Sequence, residues 1–211
     1  MKITKTTRLL PVPFVGTRIK IKLDDPESLE WGMDFVILAE ECSSVTIDWG
    51  DGTMEQFDGT TSPIHAYPRC GTYEVVLSDE LTSFRCSNVT ASSPFQAIYA
   101  KRIVGVKSNA RKLDMIPGMA FYCCENLTEF DIDETSVSML ATRAFYRCTG
   151  LMGALRFPAV TSINAMTFTG CTGITELHFG KVNEATLRAL PAWESSGGKF
   201  GAENATVYFD L

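Results

Sequence analysis

The second half of the chain repeats itself every 23 or 24 residues. Three phenylalanines, each followed three positions later by a cysteine, recur at this spacing: Phe121, Phe145 and Phe168. A period in the twenties is typical of a solenoid, in which each unit buries its apolar face against its neighbours. The repeat therefore predicts a solenoid in this half of the chain.

Each repeat continues into a short segment with regularly placed apolar anchors. These anchors are Leu127, Phe130 and Ile132, then Leu151, Leu155 and Phe157, then Ile174, Leu177 and Phe179. The last two anchors of each unit alternate with polar residues, as expected for a strand with one buried face. Two degenerate units are predicted before these three, with strands near Phe84/Cys86 and Val104/Val106, and a strand over Thr206–Phe209 is expected to close the stack.

The first half follows a different pattern of short strands separated by turn signals. The predicted strands are Arg18–Leu23, Phe35–Leu38, Val45–Trp49, Met54–Phe57 and Gly71–Leu77. Asp51-Gly52 supplies a tight turn, because glycine tolerates the positive φ of a hairpin corner. The pattern predicts a small antiparallel sandwich, with domains over residues 1–78 and 79–211. The fold class is mainly β.

Composition excludes several classes of protein. Hydrophobic residues make up 45% of the 211 residues, which is enough to form a core and argues against disorder. No apolar run approaches the roughly 18 residues of a membrane span. The net charge of −6 argues against a sequence-independent nucleic-acid binder. The apolar run near the start is broken at Pro11 and Pro13, so no secretory signal peptide is predicted.

The seven cysteines are predicted to be reduced. They are Cys42, Cys70, Cys86, Cys123, Cys124, Cys148 and Cys171. An odd count in a chain of this size argues against a disulfide framework. The repeat cysteines are interpreted as small buried residues beside their phenylalanines, with a disulfide or metal ladder as the alternative. A Cys42–Cys70 bridge is a further alternative.

No catalytic, metal or cofactor site is predicted, and the chain is not expected to be an enzyme. His65 is interpreted as a packed loop residue, and a Cys171–His178 dyad is rejected because the repeat directs the thiol inward and the imidazole outward. The Asp48/Asp51 pair is assigned to hairpin capping rather than to calcium. The acids at 129, 131 and 133 are interpreted as a solvated face.

Three ordered motifs of the first half resemble the PKD-type immunoglobulin-like domain. They are Trp49-Gly-Asp-Gly-Thr53, His65-Ala-Tyr67 and Gly71-Thr-Tyr73. The resemblance covers about 65 residues and implies a β-sandwich spacer or binding module without catalysis. It also places Trp49 in the core and Asp51 at the hairpin corner, where its carboxylate caps backbone N–H groups.

Residues 79–211 resemble the BspA-type leucine-rich-repeat family. The clearest copy is Leu155–Ile163 followed by Thr167–Cys171, and Ala120-Phe121 and Ala144-Phe145 keep the family's Ala-Phe pair. The resemblance implies a curved right-handed solenoid with a parallel sheet on the concave side, usually in surface or secreted binding proteins. The pairing of the two domains also resembles proteins of bacterial prophages. A bacterial cell-surface, secreted or phage-associated location is therefore expected.

The concave sheet is the predicted binding surface for a protein or glycan partner. Its outward residues are Arg85, Glu129, Asp131, Arg156, Glu176 and His178. A structural spacer is the alternative function, and a hydrolase with an unrecognised site is the remote one. Tyr122 and Tyr146 are assigned either to an exposed surface or to the core. Trp193 is predicted to cap the open end of the solenoid, with an interaction hot spot as the alternative.

Overall fold

The computed structural model describes residues 15–23, 34–40, 44–57, 63–86, 99–132 and 135–211. The start of the chain, where no signal peptide is predicted, and Cys42 and Asp133 lie outside these ranges. The strands are β1 (Gly16–Leu23), β2 (Asp34–Val36), β3 (Leu38–Glu40), β4 (Val45–Asp48), β5 (Met54–Phe57), β6 (Ile64–Ala66), β7 (Gly71–Ser78), β8 (Ser83–Arg85), β9 (Ile103–Ser108), β10 (Met115–Ile116), β11 (Glu129–Asp131), β12 (Met139–Leu140), β13 (Gly153–Phe157), β14 (Ser162–Ile163), β15 (Ile174–Phe179) and β16 (Thr206–Phe209). Residues 99–102 are helical, a 3₁₀ helix covers Lys181–Asn183, and two α-helices follow it, α1 (Glu184–Arg188) and α2 (Pro191–Ser195). The described part of the chain is thus mainly β, as predicted.

The strands of the first half pair antiparallel. β1 pairs with β7, β7 with β4, and β4 with β5. The β4–β5 hairpin turns at Asp51-Gly52, where Gly52 has φ +97°, so the turn is the one that the sequence predicts. β2 pairs with β6, and β3 pairs with β8. A complete immunoglobulin-like sandwich is not established by these pairings.

Three local predictions for this half need correction. The apolar run Phe35–Leu38 is divided between β2 and β3, with the buried Ile37 between them. His65 lies within the short strand β6 rather than in a loop. The predicted Phe84/Cys86 unit contains β8, which does lie beside β10, with Phe84 packed edge to face on Phe121, but which also pairs antiparallel with β3 of the first half. Local sequence patterns do not reveal which strand is the neighbour.

The two halves share one sheet. Its strand order is β11-β9-β1-β7-β4-β5, with β1 antiparallel to β9 and β9 parallel to β11. Two hydroxyl groups at the junction are buried: Thr17 Oγ1 lies 2.8 Å from Ser108 Oγ. Asn109 completes the junction, because its backbone N–H donates to Gly16 O and its side chain accepts from Gly16 N. The division at residue 78 remains a prediction, but the halves are joined by main-chain hydrogen bonds.

The repeats form a parallel-strand solenoid. β10, β12 and β14 make one parallel sheet, and β13, β15 and β16 make another. β11 lies beside β13 and pairs on its other side with β9. Turns connect the two sides of each repeat, and their backbones also bond to one another, as when Phe121 N donates to Ala144 O. The predicted strands near Val106 and over Thr206–Phe209 are both present.

The core of the solenoid is the predicted aromatic stack. Phe145 stacks on Phe121 and on Phe168, with ring centres 5.3 Å apart in both pairs, and all three side chains are fully buried. Phe130 meets Phe145 edge to face at 4.8 Å, an arrangement that aromatic quadrupoles favour. Leu127 and its repeat equivalents are also buried. The repeat period therefore determines the core as the sequence predicts.

Trp193 covers the end of this stack. It lies on α2 and contacts Phe200 at 5.6 Å and Phe209 at 5.8 Å between ring centres. The guanidinium carbon of Arg188 lies 4.7 Å from the Trp193 ring. Phe200 in turn packs edge to face on Phe179, the last anchor of the third repeat. Trp193 is thus a cap residue, because its ring shields the terminal apolar layer.

Candidate functional site

Five of the six predicted binding residues lie on the parallel strands. Their register is regular: Arg156 on β13 lies opposite His178 on β15, which lies opposite Tyr208 on β16. The anchors between them, such as Leu155 and Leu177, are buried, so these residues point away from the core. We define the charged strand face as the outward residues of β9, β11, β13, β15 and β16, namely Lys107, Glu129, Asp131, Arg156, Glu176, His178 and Tyr208.

Arg85 is placed differently from the other five. It lies on β8, and the backbone at Thr82 accepts a hydrogen bond from Asp114, which immediately precedes β10. β8 therefore continues the side of the solenoid formed by β10, β12 and β14. The expectation that Arg85 extends the row of Glu129 and Asp131 is not met, because β8 is a neighbour of β10 rather than of β9.

The first half contributes residues that the sequence-based prediction missed. Across β9, Asp131 lies level with Lys107 and Arg18, while Glu129 lies level with Gly105 and Lys20. Lys20 Nζ is 3.9 Å from a carboxylate oxygen of Glu129. The alternation of β1 did place its basic residues on one outward face, but nothing in the sequence indicates that this face adjoins β9.

Gly105 creates a depression in this surface. The cavity has a volume of about 370 Å³ and is lined by side chains of both halves, including Arg18, Lys20, Glu74 and Glu129. Glycine in the interior of a strand leaves room for close approach, and the β1–β9 register shifts between Lys20 and Ile21. Arg18 and Glu74 are 3.8 Å apart and each is about half exposed.

His178 is held by two carboxylates. Its Nε2 lies 3.0 Å from Glu176 Oε2, and its Nδ1 lies 2.8 Å from Asp210 Oδ1. The imidazole also stacks on Tyr208 at 4.8 Å. Only 13% of the His178 side chain is exposed. The predicted outward direction is correct, but the expectation of an open, solvent-facing imidazole is wrong, because Tyr208 of β16 and Asp210, which follows that strand, cover it.

The two carboxylates favour the charged form of His178. Both ring nitrogens can donate at once only when the imidazole is protonated. The hydrogen bond with Glu176 and the bond and charge of Asp210 raise the pKa of His178 above its usual value, although partial burial acts in the opposite direction. The two carboxylates therefore favour the protonated imidazole and fix the orientation of the His178 ring on the charged strand face.

The Asp51 hairpin is a structural unit. Asp51 accepts hydrogen bonds from the backbone N–H and hydroxyl of Thr53, at 3.0 and 2.6 Å, which confirms its predicted capping role. Its second oxygen lies 2.8 Å from His65 Nε2, and His65 stacks on the buried Trp49 at 4.8 Å. Burial acts to raise the pKa of Asp51, but the bonds from Thr53 and His65 outweigh it and lower the pKa to about 2. These contacts hold β6 against the β4–β5 hairpin.

The repeat cysteines are buried as predicted. Cys148 Sγ donates to Phe121 O at 2.9 Å, and Cys171 Sγ donates to Phe145 O at 2.8 Å, so each thiol bonds to the preceding repeat. Contact with Cys148 and burial raise the pKa of Cys171. Cys86, Cys123 and Cys124 are also free thiols. The Cys171–His178 dyad does not form, because the Cys171 thiol bonds to Phe145 O and both ring nitrogens of His178 bond to carboxylates.

The described residues offer few other chemistries. No group of three or more histidine, cysteine, aspartate or glutamate residues among them has an arrangement that could hold a metal ion. None of the helices in the described ranges is both long and apolar enough to cross a membrane.

The repeat region is similar in sequence to a known family of repeats. Residues 101–189 match the BspA type leucine rich repeat region, in six copies. The match begins just before β9 and ends just after α1, so it supports the predicted leucine-rich-repeat character for that range and leaves residues 79–100 and 190–211 outside it. Comparisons with curated proteins and with solved structures gave no match. Repeats of this family are commonly involved in protein binding or adhesion, and such solenoids are typically non-catalytic.

Proposed function

We propose that the protein is a non-enzymatic binding or adhesion protein whose charged strand face recognises a protein or glycan partner. The observation that carries the proposal is the register of Arg156, His178 and Tyr208 across three parallel strands, which presents charged and aromatic groups side by side. The buried phenylalanine stack holds these strands rigidly, so little conformational entropy is lost when a partner binds. Charged side chains at such a surface contribute selectivity.

The first half is proposed to be an immunoglobulin-like domain, over residues 1–78, that supports the repeats of residues 79–211. The pairing of β1 with β9 supports a rigid joint, because the sheet continues from one half into the other. Arg18 and Lys20 then extend the charged strand face beyond the repeats. A surface-exposed or virion-associated location is consistent with such a display role.

The test compares two double variants of the full chain on glycan and protein arrays. Arg156→Gln with Asp131→Asn neutralises two exposed residues of the charged strand face and leaves the net charge unchanged. The matched control, Lys112→Gln with Glu80→Gln, neutralises an ion pair of two half-exposed residues elsewhere. We expect the first variant to lose at least tenfold in affinity for the partner and the control to retain wild-type affinity.

Other results would overturn the proposal. A partner that binds both double variants as tightly as the wild type would show that the charged strand face is not the binding site. If no partner is found on the arrays and the chain nevertheless assembles fully into a virion or a surface layer, the result would favour the alternative function of a structural spacer. Turnover of a substrate that His65→Gln abolishes would favour a hydrolase.

A further inference from the structure

A second surface of the repeats carries two arginines and two tyrosines outside the charged strand face. Tyr122 and Tyr146 occupy equivalent positions in consecutive repeats, and their rings stack 4.9 Å apart with 9° between the planes. The guanidinium carbons of Arg143 and Arg147 lie 5.8 and 5.7 Å from the centre of the Tyr146 ring, within the range of cation–π contacts. We call these four residues the Arg–Tyr cluster. It lies in the turns that connect the two sides of the solenoid.

The two arginines have no acidic partner among the residues that the structure describes. The Nε atom of Arg143 is buried and has no hydrogen-bond partner there. The nearby Glu125, which lies close enough to influence the pKa of Cys123, already pairs with Lys101 at 3.9 Å. In a chain of net charge −6, the cluster therefore places two positive charges together, and no carboxylate of the described residues forms an ion pair with either guanidinium.

The backbone at both arginines is strained. Arg143 and Arg147 each have φ +58°, in the left-handed region that residues with a Cβ adopt only at a cost. Gly170, the equivalent of Arg147 in the third repeat, has φ +82°. The equivalent residues of the first repeat, Met119 and Cys123, have φ +60° and +59°, so the left-handed backbone belongs to the turn of the repeat and an arginine side chain is not required for it.

We propose that the Arg–Tyr cluster binds an acidic segment of a protein partner. A guanidinium group stacked on an aromatic ring still presents its N–H edge, which fits a carboxylate with two parallel hydrogen bonds. Arginine and tyrosine are also the residue types enriched at the hot spots of protein interfaces. Tyr146 already contacts Tyr122 and both guanidinium groups, so its ring is not an open platform for stacking a sugar. Recognition is therefore ionic, through the guanidinium edges.

The strained backbone supplies variants that remove the charges without destabilising the fold. Arg143→Gly and Arg147→Gly place glycine where φ is +58°, so the double variant is expected to unfold at a temperature equal to or above that of the wild type. A second double variant, Arg143→Lys with Arg147→Lys, keeps both positive charges but lacks the planar guanidinium group that can form two parallel hydrogen bonds with a carboxylate. As a control, Arg111→Gln removes one cation from a side chain that is 76% exposed and that pairs with Asp79 elsewhere on the surface.

The probe is a fluorescein-labelled ten-residue peptide of alternating glutamate and serine, followed by fluorescence anisotropy with the full chain at about 50 mM and 150 mM salt. We expect the glycine pair to weaken binding at least tenfold, the lysine pair to weaken it several-fold, and Arg111→Gln to change it less than twofold. Binding should also weaken at the higher salt concentration, because screening reduces exposed charge interactions.

Three outcomes would overturn the inference. Peptide binding by the glycine pair equal to that of the wild type would show that the cluster is not the site. Failure of the wild type to bind the peptide at millimolar concentration would have the same consequence. Tighter binding of a hyaluronate oligosaccharide, lost in the glycine pair, would assign the cluster to acidic glycans instead. Because Arg156 and Asp131 are unchanged in all these variants, the results are independent of the charged strand face.

Discussion

Truncation of the central phenylalanine of the stack, Phe145→Ala, tests whether the repeats are held together as described. Phe145 is fully buried and touches Phe121 and Phe168 on its two faces and Phe130 at its edge. Removing a buried phenylalanine costs about 3–5 kcal/mol. We expect a value near the upper end, because rigid aromatic neighbours on both faces cannot collapse into the space that is left.

The assay is urea unfolding, followed by tryptophan fluorescence and circular dichroism. Trp49 lies in the hairpin and Trp193 caps the solenoid, so the summed emission of the three tryptophans reports on unfolding of both halves together. A loss of about 4 kcal/mol is a large part of the 5–15 kcal/mol that stabilises a typical domain. For a chain of this length it should lower Tm by about 8–16 °C.

The matched control is Phe57→Ala on the edge strand β5. Phe57 is only partly buried, so its loss should cost about 1 kcal/mol. If Phe145→Ala costs less than about 1.5 kcal/mol, or no more than Phe57→Ala, then the phenylalanine stack is not the core and the solenoid packing described above is incorrect.

Three further predictions follow from the ionisable and buried polar groups. His178 should titrate above pH 6.5 by NMR. The stability that its charged form provides should be complete below pH 6.5 and should be lost as pH rises through the higher folded-state pKa. A difference in unfolding free energy between the wild type and His178→Gln that stays constant from pH 6 to 9 would refute this. Asp51→Asn should cost about 1–2 kcal/mol at pH 7, a cost that is present above pH 3.8 and disappears as pH falls towards 2, as measured by urea unfolding at each pH. Thr17→Val should cost about 0.5–1.5 kcal/mol by urea unfolding, because it removes one buried hydrogen bond while Ser108 Oγ still donates to Gly16 O and accepts from Ala110 N. The double variant with Ser108→Ala should cost more than Thr17→Val alone, since it leaves the buried Ala110 N–H without its acceptor; a double variant as stable as Thr17→Val would refute this.

Much of the solenoid could be predicted because its units are local. The spacing of Phe121, Phe145 and Phe168 determines that the three rings are one repeat apart, and a stack of similar units places equivalent residues in contact. The hairpin at Asp51 is local in the same sense, since its turn and its capping bonds involve neighbouring residues. Both predictions needed only short-range spacing and the backbone preferences of single residues.

The composition of the binding surface could not be predicted in the same way. Alternation indicates which side of β1 faces outward, but pairing with β9 depends on a contact between residues about 90 positions apart. The burial of His178 depends on Asp210, which lies 32 residues further along the chain, just after the final strand. A pattern of buried and exposed positions is the same for every possible neighbour, so it carries no information about long-range partners.

The amino-acid sequence by itself therefore determines the repeat, its aromatic core and the outward direction of the charged residues, because each depends on spacing along one stretch of chain. Only the tertiary structure decides which charges become neighbours: it joins Lys20 to Glu129 across two halves and encloses His178 between Glu176 and Asp210. These contacts arise from strand register and from the closing of the final strand, and main-chain hydrogen bonds between distant segments set both.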